Sequence, residues 1–455
     1  MNIAVISGSP KAKHSVTLEY TNYIKKHFPE HNFEVINAAV EITKIEKNRE
    51  ALHASVEKIR NADAVIWSFP VYVLLVPAQY KRWIELINEE GLENAFAGKP
   101  CIAISTSIHF FDDTAHNYLR AICDDWKMRY IGNYSAEMFD LMQGKERKRL
   151  LAFANLFFGA VTSGFSCAPA FLPLVAPALA YEPGKLLRQV DNGTSRTIIL
   201  AEKDEGNLAK MIERVQANLN GKAEVFYLED LDIRGGCIGC CVCGLDNQCS
   251  YRDGYREFYE GPYKTADTII MALRVRDRFL SARWKQFIDR SFFNGHTPTL
   301  IGKQLAFIVT GPFQQTSNIR TILSAYAGFQ QAHLVDVVSD EVANSATLDE
   351  RLDNLCTLLT QSQAHGYIPP PNFLAVAGKK VFRDEIYGKL RFVFQADHRY
   401  YKKHGYYDFP QKQHKIRRRN VIMMALTKIP FFRKEFLKRI IPEMVAPLRH
   451  VVKNK

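Results

Sequence analysis

Two stretches of this chain align with each other without a gap: ADAVIWSFPVYVLLVPAQYKRWIE from Ala62 and ADTIIMALRVRDRFLSARWKQFID from Ala266. Ala78 meets Ala282, Lys81 meets Lys285 and Ile84 meets Ile288. A second pair comes later in the same order, KPCIAISTSIHF from Lys99 and KQLAFIVTGPF from Lys303. Repetition at this spacing constrains the fold more than any composition does, because each copy must be a complete packing unit. Within each copy, short apolar runs ending in turns alternate with helical stretches. That pattern predicts a parallel sheet wound on both faces. The expected fold is therefore α/β: two tandem doubly wound parallel-sheet modules, 1–149 and 195–365, arising by duplication. Residues 150–194 form a connector and 366–455 a C-terminal extension.

The connector is unusual. From Leu150 to Tyr181 no residue is charged. Its first part approaches the roughly 20 apolar residues that span a bilayer, but Gly, Asn, Ser and Thr dilute it, and Pro169, Pro173 and Pro177 break its second half. The plain expectation is a buried helix between the modules and then a proline-rich link. A membrane-dipping hairpin or a channel for a lipophilic substrate are the alternatives.

Chemistry is written most clearly in the first module. Ser7-Gly8-Ser9-Pro10, with Lys11, Ser15 and Thr17 just beyond, joins a strand to a helix. Small residues, hydroxyls and a helix N-terminus are what a phosphate needs there, although such a turn also suits an ordinary strand-to-helix loop. Phe69-Pro70-Val71-Tyr72 stands at the carboxyl end of a buried strand, where open α/β sheets bind ligands. Together these motifs resemble the NADPH-dependent FMN reductases, a flavodoxin-like family, over residues 1 to about 130. The resemblance implies that the first loop holds the FMN phosphate and that Pro70–Tyr72 flank the flavin ring. It also implies a third loop, Ser105, Thr106, Ser107, Ile108 and His109. Tyr72 and His109 become the candidate catalytic residues; a loop histidine is as readily a solvated surface group.

The second module departs from this pattern. Its first loop reads Ala201-Glu202-Lys203-Asp204-Glu205-Gly206-Asn207, and carboxylates there repel a phosphate. Arg274 and Arg276 replace Pro70 and Tyr72, so no FMN is expected. Of nine cysteines, five lie between positions 237 and 249, and no secretion signal is expected from the N-terminal residues; a disulfide framework would be spread along the chain. Cys237-x2-Cys240-x2-Cys243-x5-Cys249, with an extra Cys241, is a spacing that can wrap a metal or cluster. It resembles the motif of iron–sulfur flavoproteins, which implies a 4Fe–4S cluster. Zinc and redox-active thiols stay open as alternatives. One module thus offers a flavin site without cysteines, the other cysteines without a flavin site.

The net charge of +12 is a property of one end. From residue 366 onward the sequence carries 21 Lys+Arg against 6 Asp+Glu, and the rest of the chain is slightly acidic. Cations mixed with Ile, Met, Leu and Phe suit a basic helical tail that either packs on the modules or lies on an anionic membrane surface. Nucleic acid is not expected, since no nucleic-acid-binding fold accompanies the charge. These features predict a cytoplasmic FMN-dependent NAD(P)H oxidoreductase, peripheral contact at the inner face of the membrane being compatible with the tail. It would pass electrons to a small-molecule acceptor or a redox partner protein. A non-catalytic electron carrier or redox sensor, and a membrane-surface reductase of a quinone or other lipophilic substrate, are the rival readings. Oligomeric state is open.

Overall fold

Strand β1 (Asn2–Ser7) has five consecutive buried residues, Ile3 to Ser7, so both of its faces must be covered. The computed structural model, which describes residues 1–186, 188–409 and 413–453, covers them with helices. After β1 come α1 (Val16–His27), β2 (Asn32–Ile36), α2 (Ile42–Lys47), α3 (Arg49–Arg60), β3 (Ala64–Pro70) and α4 (Ala78–Glu89). Next are β4 (Pro100–Ser107), α5 (Asp112–Asp125), β5 (Arg129–Glu137) and α6 (Gly144–Thr162). The second half repeats the plan: β6 (Thr197–Ala201), α7 (Asn207–Asn218), β7 (Glu224–Tyr227), α8 (Tyr255–Phe258), β8 (Thr268–Arg274) and α9 (Ala282–Arg290). It closes with β9 (Gln304–Thr310), α10 (Ser317–Phe329), β10 (His333–Ser339) and α11 (Ser345–Ala364).

Each half holds a five-stranded, fully parallel sheet, in the orders β2-β1-β3-β4-β5 and β7-β6-β8-β9-β10. Both are the flavodoxin-like 2-1-3-4-5 order, whose switch point lies between the first and third strands. The two halves agree in finer detail. After β3 the chain makes a tight turn closed by Tyr72 and Leu75, with Val73 at φ 29° and Leu74 at φ 69°. After β8 the same turn is closed by Arg276 and Phe279, with Asp277 at φ 46° and Arg278 at φ 66°. Left-handed backbone at paired non-glycine residues is disfavoured sterically and persists only where the surroundings impose it.

Helices α4 and α9 come after these turns and pack on each other. Neither N-terminus relies on its own side chains alone. Asp289 of α9 accepts from the Ala78 amide at the start of α4, and Glu85 of α4 accepts from the Ala282 amide at the start of α9. Each carboxylate also pairs with the lysine one turn before it, Lys285 with Asp289 and Lys81 with Glu85, all four side chains being almost fully buried.

The chain forms two compact units, Met1–Tyr400 and Tyr401–Lys455. The apolar connector divides differently from the sequence expectation. Its helix is α6, and Leu150, Ala154, Phe157 and Phe158 join Ile3, Val5, Tyr20 and Ile24 in a core of the first module. This helix is the first module's own outer layer, and the boundary at 149/150 passes through it. Beyond α6 the chain crosses to the second module in irregular conformation, and there the buried Tyr181 donates to Asp349 of α11. Among the described residues no helix is long and apolar enough to cross a membrane.

The C-terminal extension is also two things. Helix α12 (Phe373–Tyr387) packs against α10, and α13 (Gln395–Lys403) begins within the first unit. Gly378 allows α12 to come close to Phe110, whose ring would lie 2.5 Å from a Cβ at that position. In the second unit, α14 (His414–Leu426) carries four Lys or Arg cations and no acidic residue, and α15 spans Pro430–Lys453. Val421, Met424 and Phe431 are exposed along these helices.

Candidate active site

A cavity of about 390 Å³ opens at the switch point of the first sheet, within the usual range of roughly 300–1,000 Å³ for cofactor sites. One end is built by the loop after β1. Ser9, Ser15 and Thr17 are buried there, with Lys11 beside them. Ser15 caps α1, its Oγ accepting from the Leu18 amide at 3.2 Å, and Ser9 Oγ accepts from the Lys11 amide at 3.3 Å. Both hydroxyls are used as acceptors, which leaves their protons for an anionic oxygen. Thr17 reaches across to Thr106 at 2.5 Å, tying this loop to the end of β4. Hydroxyl donors, a lysine and a helix N-terminus fit a phosphate. Tyr72 supplies the second sign of fit: its Oη is buried with no hydrogen-bond partner among the described residues. The residues therefore suit FMN, Ser9, Lys11, Ser15 and Thr17 for the phosphate and Pro70, Val71, Tyr72 and Thr106 for the ring.

Other predicted site residues serve the frame. The Gly8 amide donates to Ser68 at 2.7 Å, and Tyr80 packs so closely that a Cβ on Gly8 would lie 2.5 Å from its ring. Ser7 and Phe69 are buried in the sheet; neither they nor Pro10 lines the cavity. Ser105 pairs with the buried His116 at 2.8 Å, while Thr106 and Ser107 line the cavity. Burial pushes His116 down to about 4. His109 has φ 60° and turns its ring to Asp112 at 2.9 Å, exposed to solvent and off the cavity wall.

The opposite wall comes from the second module. The cysteine loop passes over Tyr72: a side chain at Gly239 (φ 65°) would collide with the Tyr72 hydroxyl and lie 2.6 Å from Lys11 Cε. Gln79 donates to the Cys237 carbonyl at 3.2 Å. Arg290 anchors the loop by donating to the Gly235 carbonyl and pairing with Asp253. Lys285 donates to the Tyr72 carbonyl at 2.9 Å, so the buried pair in α9 holds the Tyr72 loop of the other module. Burial pushes Asp289 up to about 6 and Lys285 down, and it raises Tyr72 well above its ordinary value, the nearby Cys237 and Asp289 adding to the effect.

Of the predicted metal ligands only Cys237 lines the cavity, together with Cys241, which the spacing sets aside. Cys240 is exposed, Cys243 is buried with its thiol directed at the Phe292 carbonyl, and Cys249 is half-buried. Burial first, then the neighbouring thiols, pushes Cys243 up to about 12, and burial does the same to Cys237. Among the described residues no three cysteine, histidine or acidic side chains are gathered to hold a metal. As placed, the four sulfurs do not fit a cluster.

The corresponding loop of the second sheet is closed on itself. Arg274 binds Asp204 through both carboxylate oxygens at 2.7 and 2.8 Å. Glu202, in the place of Gly8, pairs with Ser281, and burial pushes it up to about 7. A phosphate would meet carboxylates where the first module offers hydroxyls.

Residues 1–139 match the NADPH-dependent FMN reductase family. The match covers the loops after β1, β3 and β4 that line the cavity. An iron–sulfur flavoprotein of Archaeoglobus fulgidus is 31% identical over 116 residues, which are 25% of this chain and 51% of that protein. The chain thus spans about half the length of that relative. Among solved structures, the flavoenzyme FerB of Paracoccus denitrificans, an NAD(P)H:(acceptor) oxidoreductase, is similar at 18% identity and a TM-score of 0.29, over 36% of this chain and 98% of that one. General stress protein 14 of Treponema denticola, solved with FMN, is similar at 12% identity and a TM-score of 0.27, over 36% and 98%.

Proposed function

We propose that this protein is an FMN-dependent oxidoreductase that takes an electron pair from NAD(P)H and delivers it to an acceptor inside the first unit. The observation that carries this reading is the cavity at the β1/β3 switch point, hydroxyl-lined at one end and walled by the second module. When bound, FMN supplies the hydride and electron chemistry. The chain's own part is to hold the phosphate through Ser9, Lys11, Ser15 and Thr17, to fix the Tyr72 loop through Lys285, and to exclude water with the cysteine loop. The test is extraction and quantification of flavin from the full chain, then NAD(P)H-driven reduction of ferricyanide. About one FMN per chain and steady turnover support the reading; a flavin-free chain without turnover refutes it.

The cysteine loop is the proposed seat of a 4Fe–4S cluster. Support comes from its spacing, its place against the flavin cavity and the name of the archaeal relative. Its sulfurs would have to draw together on assembly, and no step above is routed through it. The second unit is proposed to rest on an anionic membrane surface, supported by exposed Val421, Met424 and Phe431 on helices rich in Lys and Arg.

A further inference from the structure

The two halves differ at a place far from the switch-point loops. In each half the helix after the last strand, α6 or α11, packs on the sheet. In the first half, Ile3 of β1 and Ala64 of β3 are paired in register and buried in the core that α6 completes. Near the end of α6, Phe157 and Phe158 join that core, Phe158 lying 4.7 Å from Phe28 and 6.3 Å from Phe33, centroid to centroid. The corresponding pair in the second half is Thr197 of β6 and Thr268 of β8, also in register, 3% and 4% exposed. Two places along each strand the apolar face resumes with Ile199 and Ile270, which share a core with Leu355 and Leu359 of α11. Over the threonines there is a cavity of about 440 Å³, bounded by the amino ends of β6 and β8, the end of α11 and the end of the connector. Its described lining holds no aromatic side chain.

Burying hydroxyls where the sister module packs hydrocarbon costs free energy unless they find partners. Thr197 Oγ1 accepts from Asn192 Nδ2 at 3.2 Å, while the Thr268 hydroxyl has no hydrogen-bond partner among the described residues. Asn192 Oδ1 and Ser195 Oγ are likewise buried without a partner among the described residues, and both side chains belong to the lining. Two carboxylates join them. Asp191 Oδ1 accepts from Lys222 and from the Gly193 amide, and Asp267 Oδ2 accepts from the Arg196 amide. The other oxygen of each carboxylate has no partner among the described residues. No Lys, Arg or His lines the cavity, and the neighbouring Lys303 is held by the Ala266 carbonyl. Leu219 and Leu359 supply the apolar part of the wall.

We propose that this cavity binds a short aliphatic amine, its ammonium held by Asp267, Asn192 and Thr268 and its carbon chain lying against Leu219 and Leu359. An ammonium brings three N–H donors and no acceptor, which matches a carboxylate oxygen, an amide oxygen and a hydroxyl left open. An anion would meet two carboxylates and no lining cation. A divalent metal ion wants six or more oxygens with several carboxylates among them, and here each of two carboxylates already spends one oxygen elsewhere. The volume falls in the usual range for small ligands. The amino ends of the strands lie opposite the carboxyl-end loops where open sheets do their chemistry, so the ligand is an effector and not a reactant. By bridging the connector to α11 it stabilises the second module.

The experiment is calorimetric titration of the full chain with 1,4-diaminobutane and with 1,4-butanediol, which has the same length and no charge. The chain's net charge of +12 opposes diffuse uptake of cations, and physiological salt screens what remains. The amine should bind at about one per chain and raise the melting temperature. The diol should bind at least about tenfold more weakly, since it makes no charge-assisted hydrogen bond. Thr268→Val and Asp267→Asn should each weaken amine binding by about tenfold. Thr197→Ile with Thr268→Ala, the pair that the first half carries, should abolish binding and melt no lower than the native chain. Absence of amine binding overturns the proposal, and so does a diol that binds as well as the amine. Unaltered amine binding in Thr268→Val, which keeps the shape of the native side chain, or in the double variant puts the amine elsewhere and overturns the site.

Discussion

Asp289 accepts a hydrogen bond from the amide of Ala78 at 2.8 Å, and Glu85 answers with the amide of Ala282 at 2.6 Å. The two halves therefore cap each other's helices around an approximate two-fold relation, as identical subunits do across an isologous interface. Removing one carboxylate leaves a buried ammonium and an unsatisfied amide together. Asp289→Ala should lower unfolding stability by about 3–5 kcal/mol. Replacing the pair, Lys285→Met with Asp289→Leu, should recover much of that loss, because no uncompensated charge remains. Denaturant midpoints of the three proteins check it; a double variant no more stable than the single one would count against the buried-pair account.

The phosphate end makes a second prediction. Ser9→Asp with Ser15→Asp places two carboxylates where the native chain has hydroxyl protons to offer, and like charges in a poorly solvated loop repel. Flavin should be lost on gel filtration while the fold, read by circular dichroism, persists. Flavin retained at one per chain in this variant would argue that the phosphate sits elsewhere.

The cysteine loop separates by position. If a cluster assembles, Cys240→Ala should remove iron and the broad visible absorbance of anaerobically prepared protein, while Cys241→Ala should keep the iron and disturb the flavin bands, since Cys241 lines the cavity. Iron and sulfide assays with difference spectra decide; zinc without iron in native protein would rule the cluster out.

His116 gives a pH signature. Its folded value of about 4 lies below the usual 6.5, so between those values the unfolded chain binds the extra proton. Stability should therefore be complete above pH 6.5 and fall as the pH drops toward 4, by about 3 kcal/mol in all. Melting curves at about pH 7 and about pH 5 should show His116→Gln losing less than the native chain over this interval. Equal losses would assign the acid sensitivity to other groups.

For the second unit, flotation with phosphatidylglycerol vesicles at low and high salt, comparing the full chain with a truncation at residue 409, tests surface binding. Each basic residue near such a surface is worth roughly 1 kcal/mol, and salt screens it. The full chain should float at low salt and the truncation should not. Equal flotation of both would remove the tail's part.

The hydroxyl-lined end of the cavity is legible in the sequence because it is local: Ser9, Ser15 and Thr17 all belong to one strand-to-helix turn and the first residues of its helix. Ser105 stands one place off the cavity. Strand neighbours point to opposite faces, so Thr106 reaches the cavity while Ser105 turns to His116. His109 is carried off the wall by a left-handed backbone that no spacing announces. Asp289 is out of reach of motif reading because its partner, Ala78, is far away along the chain. One signal is nonetheless present. The gapless repeat sets Lys81-x3-Glu85 over Lys285-x3-Asp289, two apolar helix faces each carrying a lysine and a carboxylate one turn apart, which helices facing solvent alone would not need to bury.

Joining both halves in one polypeptide changes what mutation does at their meeting face. In a pair of identical subunits any substitution arises twice, so a gain on one side is tied to the same change on the other. Here Gly239 presses on Tyr72, whereas Arg276, in the place of Tyr72, is met by the carboxylate of Glu89. One basin is free to become chemical equipment and the other masonry, while the shared face keeps them in register.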